Sequence, residues 1–144
     1  MNTQPLTITS QNGRLRELKT DCIVLQPFLP ENTTRQQLEN IRGFHCLCLW
    51  DTGASSTCIS ERLANELGLV QVGIARTLTA NGISDTKTYL VNILFPNQIQ
   101  IPMVMVSEAN LQGFDVLIGM DVITLGEFSI KNVGGNTEFS FNIP

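Results

Sequence analysis

A dense apolar run, Phe44 to Trp50, leads without a break into Asp51-Thr52-Gly53. The run has the length and composition of a β-strand. Strands disfavour Asp, so a strand that closes on one sets a carboxylate where core meets solvent. Such a carboxylate is expected to be partly desolvated, which raises its pKa and readies it for proton transfer. Thr52 supplies a hydroxyl. Gly53 lets the backbone turn sharply and brings N–H groups near the carboxylate. Ala54, Ser55 and Ser56 are small and leave the carboxylate accessible. Taken alone, the tripeptide also fits an ordinary turn begun by Asp51.

The rest of the chain has a mostly β texture. Leu6 to Thr9 reads as a short strand ending near Asn12-Gly13, and Leu15 to Leu25 as a longer one stopped by Pro27 and Pro30. Thr33 to Ile41 is polar and reads as a loop or one weak helical turn. Ser60 to Leu67 is the clearest helix, with Ser60 to cap it, Leu63 and Leu67 on one face and Gly68 to end it. Arg76 to Ala80 and Thr86 to Phe95 make a hairpin about Asn81-Gly82. Ile99 to Val106 and Phe114 to Ile118 are further strands, and Asp121 to Leu125 is one helical turn. Glu127 to Ile130 and Thr137 to Phe141 form a closing hairpin about Gly134-Gly135. Met103 and Met105 alternate on a strand and are expected in the core.

With 144 residues the chain suits one domain, 1–144, able to bury a core without disulfides or metal. Its 42% apolar and 15% charged residues exclude a disordered polymer. A net charge of −4, with scattered Lys and Arg, argues against nucleic-acid and anionic-membrane partners. No stretch approaches the length of a membrane span. The N-terminus lacks the charged and apolar regions of a secretory signal, so Cys22, Cys46, Cys48 and Cys58 are expected as reduced thiols in a cytoplasmic protein.

One histidine, His45, and no Gly-x-Ser-x-Gly elbow argue against a Ser-His-Asp hydrolase, and no phosphate loop is present. His45 with Cys46, Cys48 and Cys58 matches no zinc spacing, because His45 faces away from the two strand cysteines; no metal and no cofactor are expected. Paired-carboxylate hydrolysis remains. Two carboxyls a few ångströms apart share one proton, so one acts as base and the other as acid on a water between them. Asp85, Asp115 and Asp121 lack the Asp-Thr-Gly context. A second Asp51 must then come from a two-fold homodimer.

The chain resembles the retropepsin-like aspartic proteases, the single-lobed relatives of pepsin, and within them the cellular and bacterial members more than the viral ones. Four elements in order carry the resemblance: the strand Phe44–Trp50, the loop Asp51–Ser56, the flap-like hairpin Thr77–Tyr89, and Val116-Leu117-Ile118-Gly119-Met120-Asp121. It implies an all-β, closed acid-protease barrel with one or two short helices, active as a homodimer. It implies Asp51 as the catalytic aspartate, Thr52 in a hydrogen-bond network across the dimer, and Gly53 against substrate backbone. An extended peptide or protein substrate would lie beneath the flap, touching Ala54, Ser55, Ala80, Asn81, Gly82, Ile83, Leu117 and Ile118. The apolar Ile83, Leu117 and Ile118 suggest apolar side chains flanking the cut.

Several placements stay open at this level. Residues 27–43 form either a surface loop or an insertion near the cleft. Asp121 either bonds the catalytic loop near Ser55 and Ser56 or caps a helix, and Trp50 either lines a subsite or packs in the core. Thr137 to Phe141 is the candidate for the strand that relatives interleave across their dimer. Two other functions fit the same chain: an inactive dimeric peptide-binding module of this fold, and a monomeric barrel in which Asp51 only begins a turn.

Overall fold

Why the chain curls on itself follows from its strand lengths and pairings. In the computed structural model, which describes residues 4–144, two sheets account for ten strands. The larger contains β2 (Lys19–Leu25), β3 (Gly43–Trp50), β4 (Cys58–Ser60), β5 (Gly73–Thr79), β6 (Gly82–Leu94), β7 (Gln100–Ala109) and β8 (Val116–Ile118). Its order is β2-β3-β8-β4-β7-β6-β5, and β2 pairs with β6 as well. That extra pairing closes the sheet into a ring with β5 outside it. The 13-residue β6 makes this possible: its N-terminal half pairs β5, and its C-terminal half reaches β2. Where β6 passes from Val91 to Ile93 its register with β7 shifts by one, because β7 carries an extra residue there. The all-β closed barrel expected from the sequence is the observed fold.

The smaller sheet packs β1 (Leu6–Thr9), β10 (Asn136–Asn142) and β9 (Glu127–Val133), in that spatial order and all antiparallel. β10 alternates buried and half-buried residues, which points Phe139 and Phe141 into the core. There they meet Trp50, with ring centroids 5.1 and 4.8 Å from its own. Phe95 and Phe128 complete the cluster at 5.1 and 6.1 Å. The Trp50 indole N–H donates to Thr20 Oγ1 at 3.0 Å, so its one polar group is satisfied inside the core. Trp50 is thus a core residue, and it fixes the end of β3 immediately before Asp51.

Three short α-helices and one 3-10 turn, Pro30–Asn32, interrupt the strands among the described residues. α1 (Arg35–Leu38) carries a capping box in which Thr34 and Gln37 bond one another's backbone N–H. α2 (Glu61–Glu66) is the helix expected at Ser60 to Leu67, and Ser60 Oγ accepts from Leu63 N at 3.1 Å as its cap. α3 (Met120–Ile123) follows Gly119.

Three expectations are corrected. The strand proposed over Leu15 to Leu25 begins only at Lys19. Residues 13 and 15 are held by side chains of β10 and not by a ladder: Gly13 N donates to Asn136 Oδ1 and Leu15 N to Thr137 Oγ1, both at 2.9 Å. The hairpin turns on Ala80-Asn81, because Thr79 pairs with Gly82; Gly82, at φ 112°, is the first residue of the return strand. Met103 and Met105 are exposed, not core. Val104 and Val106 take the buried face, because β7 itself carries an extra residue at Pro102-Met103, where Met103 has a positive φ of 54°, and this resets the strand's phase.

Residues 27–43 are a surface segment at the end of β3 opposite Asp51, roughly 25 Å away at strand rise. Buried Asn92 anchors it, donating from Nδ2 to Phe28 O at 2.9 Å and accepting from Phe28 N at 3.3 Å. Gln26 ties its base to Leu67 O and Arg42 N.

Candidate active site

β3 and β8 run parallel, with Trp50 beside Ile118, so both chains leave the sheet side by side. Asp51 N donates to Ile118 O at 2.9 Å, and its carbonyl accepts from Ala54 N at 3.2 Å. The side chain folds back: Gly53 N donates to Asp51 Oδ1 at 2.8 Å. A Cβ at position 53 would sit 3.2 Å from that same oxygen, so any larger residue crowds the carboxylate. The glycine of Asp-Thr-Gly thus both donates to Asp51 and keeps its flank clear. Asp51 is half-buried; Thr52, Gly53, Ser55 and Ser56 are exposed; Ala54 is half-buried.

The loop is braced from behind by the start of α3. Met120 N donates to Ala54 O at 2.8 Å. Thr57, fully buried, donates through N and Oγ1 to Asp121 Oδ2 and Oδ1 at 3.0 and 2.7 Å, and accepts from Gly119 N at 3.1 Å. Asp121 therefore does bond this loop, but at Thr57, not at Ser55 or Ser56. Its Oδ1 also accepts from Val122 N, while the cap position of α3 belongs to Gly119. Gly119 is obligatory for close approach: a Cβ there would lie 2.7 Å from the Ser56 carbonyl carbon and oxygen and 3.0 Å from Ala54 O. Thr57 escaped the sequence reading because a threonine among small polar residues gives no signal of burial. Its one clue is position, at the point where the loop re-enters the sheet as β4.

The other anticipated residues fall into two groups. Leu117 is half-buried beside Leu49 and Cys58, and Ile118 is fully buried, so Ile118 serves the loop through its carbonyl and not through its side chain. Ala80, Asn81, Gly82 and Ile83 lie at the exposed tip of the β5–β6 hairpin, where Ile83 is 69% exposed and stands opposite Leu78 at 82%. Below the tip, Tyr89 is buried and donates to Glu108 Oε1 at 3.1 Å; burial, then the carboxylate, pushes its hydroxyl pKa up.

A groove of about 340 Å³ opens beside the aspartate, walled by Leu15 to Leu18, Leu49 to Thr52, Phe128, Ile130, Asn132 and Thr137. At the far end of β8, Asp115 accepts from Arg62 Nη2 at 2.8 Å and from Ser60 Oγ at 2.7 Å. The Arg62 guanidinium, with Ser60, holds the Asp115 carboxyl below its usual range against the opposing effect of burial. Among the described residues no group of three or more His, Cys, Asp or Glu is placed to hold a metal, and no helix is long and apolar enough to cross a membrane.

A ring-closed β fold in which an aspartate loop and an apolar-Gly segment emerge side by side defines the single-lobed aspartic-protease class. The family described as "gag-polyprotein putative aspartyl protease" matches residues 40–124, well over half the chain, and the protein belongs to that family. The match spans β3, the Asp51 loop, the hairpin, β8 and α3. Among solved structures, a retropepsin-like aspartic protease from Rickettsia conorii is similar over 100% of this chain and 98% of its own, with TM-score 0.59 and 13% identity. The retroviral protease-like domain of Ddi1 from Leishmania major aligns over 87% of this chain and 94% of its own, with TM-score 0.46 and 18% identity. No curated protein sequence is significantly similar to this chain.

Proposed function

We propose that the protein is an aspartic endopeptidase of the retropepsin type, its residues 1–144 forming one protease domain that works as a homodimer. The observation that carries this reading is the Asp51 carboxylate, held by Gly53 N–H at the mouth of the β3–β8 pair and open to solvent. One such carboxylate cannot act as both acid and base. A two-fold partner supplies its twin, and the pair shares a proton. One carboxylate then takes a proton from the attacking water while the other, protonated, donates to the peptide carbonyl oxygen as charge develops there. Thr52 and Gly53, both exposed, face the partner and the substrate backbone in this reading. The substrate is an extended peptide that adds as a strand beneath the β5–β6 flap. No cofactor takes part. The four free thiols fit a reducing compartment such as the cytoplasm.

The arrangement of the termini bears on how the dimer forms. β10 is flanked on both sides by strands of its own chain, so its two edges are already paired. Thr137 to Phe141 is therefore not offered for interleaving, and the partner must approach through the surface around Asp51 to Gly53.

Peptide-library cleavage from mildly acidic to neutral pH, over a range of protein concentrations, tests the proposal. Cleavage is expected, with specific activity that falls on dilution and with Asp51→Asn inactive yet dimeric. An intact dimer that binds peptides without cutting them would replace the protease with a binding module. A monomer whose Asp51→Asn variant behaves as wild type would reduce Asp51 to a turn residue.

A further inference from the structure

Three of the four cysteines lie on two neighbouring strands, and the proposed hydrolysis uses none of them. Cys22 on β2 stands directly opposite Cys46 on β3, and Thr20 opposite Cys48. The Trp50 N–H to Leu18 O bond, and the Gln26 N–H to Arg42 O bond at the other end, show which opposed pairs exchange ladder bonds. By alternation Cys22 and Cys46 are such a pair, so their Cα atoms are about 5.5 Å apart. A disulfide needs roughly 4.4–6.8 Å. Their sulfurs are 3.8 Å apart, so bonding requires an approach of about 1.8 Å, made by side-chain rotation together with a small drawing-in of the two strands, since opposed Cβ atoms lie about 4.5–5.5 Å apart and a disulfide needs about 3.5–4.5 Å.

The alternative pairings fit worse. Cys22 and Cys48 are diagonal neighbours, roughly 7–8 Å apart at Cα, beyond disulfide reach. Cys46 and Cys48 point the same way two residues along one strand, near the limit. The Cys48 sulfur, moreover, lies 3.2 Å from Thr20 Oγ1 inside the core. Cys58 sits on β4, 3.9 Å from Ser107 Oγ.

We propose that Cys22 and Cys46 are a thiol–disulfide redox site, oxidised by small disulfides such as glutathione disulfide. Cys46 is half-buried and within reagent reach, whereas Cys22 is 1% exposed. Cys46, as thiolate, attacks one sulfur of the small disulfide and expels one thiolate. Cys22 then gives up its proton to that thiolate, attacks the Cys46 sulfur and expels the second thiolate, which takes up the proton Cys46 had lost. Two S–H bonds are lost, one S–S bond forms, and the small disulfide is reduced to two thiols. The hydrogen bond with Cys46, the neighbouring Cys48 and burial push the Cys22 thiol pKa up. The bridge closes a ring around residues 27–43 and stiffens the strand that carries Asp51.

The test equilibrates the full chain in glutathione buffers of graded oxidation, quenches with acid, alkylates after unfolding and maps the thiols by mass spectrometry. Cys22 and Cys46 should lose alkylation together, within one chain, and regain it with dithiothreitol; Cys48 and Cys58 should stay alkylated throughout. Cys58→Ser should behave as wild type, and Cys46→Ser should form no internal bridge. The wild-type map decides the matter even where a serine variant folds poorly. Four alkylated thiols in the most oxidising buffer, or a bridge mapped to another pair or between chains, would overturn the assignment.

Discussion

The Asp51 loop and the β5–β6 hairpin are built on opposite plans. Residues 51–57 form a short excursion tied at its start, middle and end: Asp51 to Ile118, Ala54 to Met120, and Thr57 to Asp121 and Gly119. The hairpin is a two-stranded ladder with an exposed cross-strand ion pair, Arg76 to Asp85 at 3.3 Å, and Leu78 and Ile83 face water. On the proposed reading the loop holds a carboxylate in register with its twin, and small misplacement is costly there. On the same reading the hairpin opens to admit a chain and closes over it, a role that suits the loosely packed part of the molecule.

That contrast can be broken from either side. The largest effect should come from Gly119→Ala, which drives a methyl into the Ser56 carbonyl. Overpacking of this kind costs about 1–3 kcal/mol or more. Thermal melting should shift down sharply and peptide turnover should be lost; an unshifted melt would mean that the loop gives way easily and is not a rigid brace. Asp121→Ala follows, because it strands two buried Thr57 donors. The expected loss is about 2 kcal/mol by denaturant unfolding, with turnover falling further than binding.

Ser60→Ala should cost about 1 kcal/mol through the lost cap of α2. The neighbouring Asp115 gives this end of β8 a pH signature. Because Arg62 lowers its folded pKa, the unfolded chain binds that proton more readily than the folded one. The stabilisation is complete above the ordinary carboxylate range and is lost as pH falls through that range toward the folded value. Arg62→Ala should therefore narrow the gap between melting temperatures at neutral and acid pH. The smallest stability effect belongs to the flap: Leu78→Ser and Ile83→Ser should each change unfolding by less than about 0.5 kcal/mol, while raising KM for peptides. A large loss of stability from either would show that the tip is packed like the loop.

The same contrast explains what the sequence made legible. The strand ending in Asp51, the Ser60 cap and the apolar-Gly segment each announce themselves through local chemistry, and each was placed within a residue or two. The Thr57–Asp121 clamp joins residues 64 apart, and no local signal distinguishes a buried threonine from an exposed one. Met103 and Met105 lie on the exposed face because a bulge in β7 itself, at Pro102-Met103, shifts an alternation that the sequence alone reads as unbroken from Ile99 and Ile101. The early start assigned to β2 failed for a related reason: side chains of β10, more than a hundred residues later, hold residues 13–15.

The sheet that joins β1 to β10 also puts the molecule on a clock. Leu6 pairs with Phe141, so the earliest strand has no neighbour until almost the whole described chain has been made. At roughly 5–20 residues per second of synthesis, it waits on the order of ten seconds. Phe139 and Phe141 arrive with the same strand and are the rings that seat Trp50. The support directly behind the aspartate is thus among the last parts to assemble, and a nascent chain carrying Asp51 stays without it until synthesis has passed the final strand.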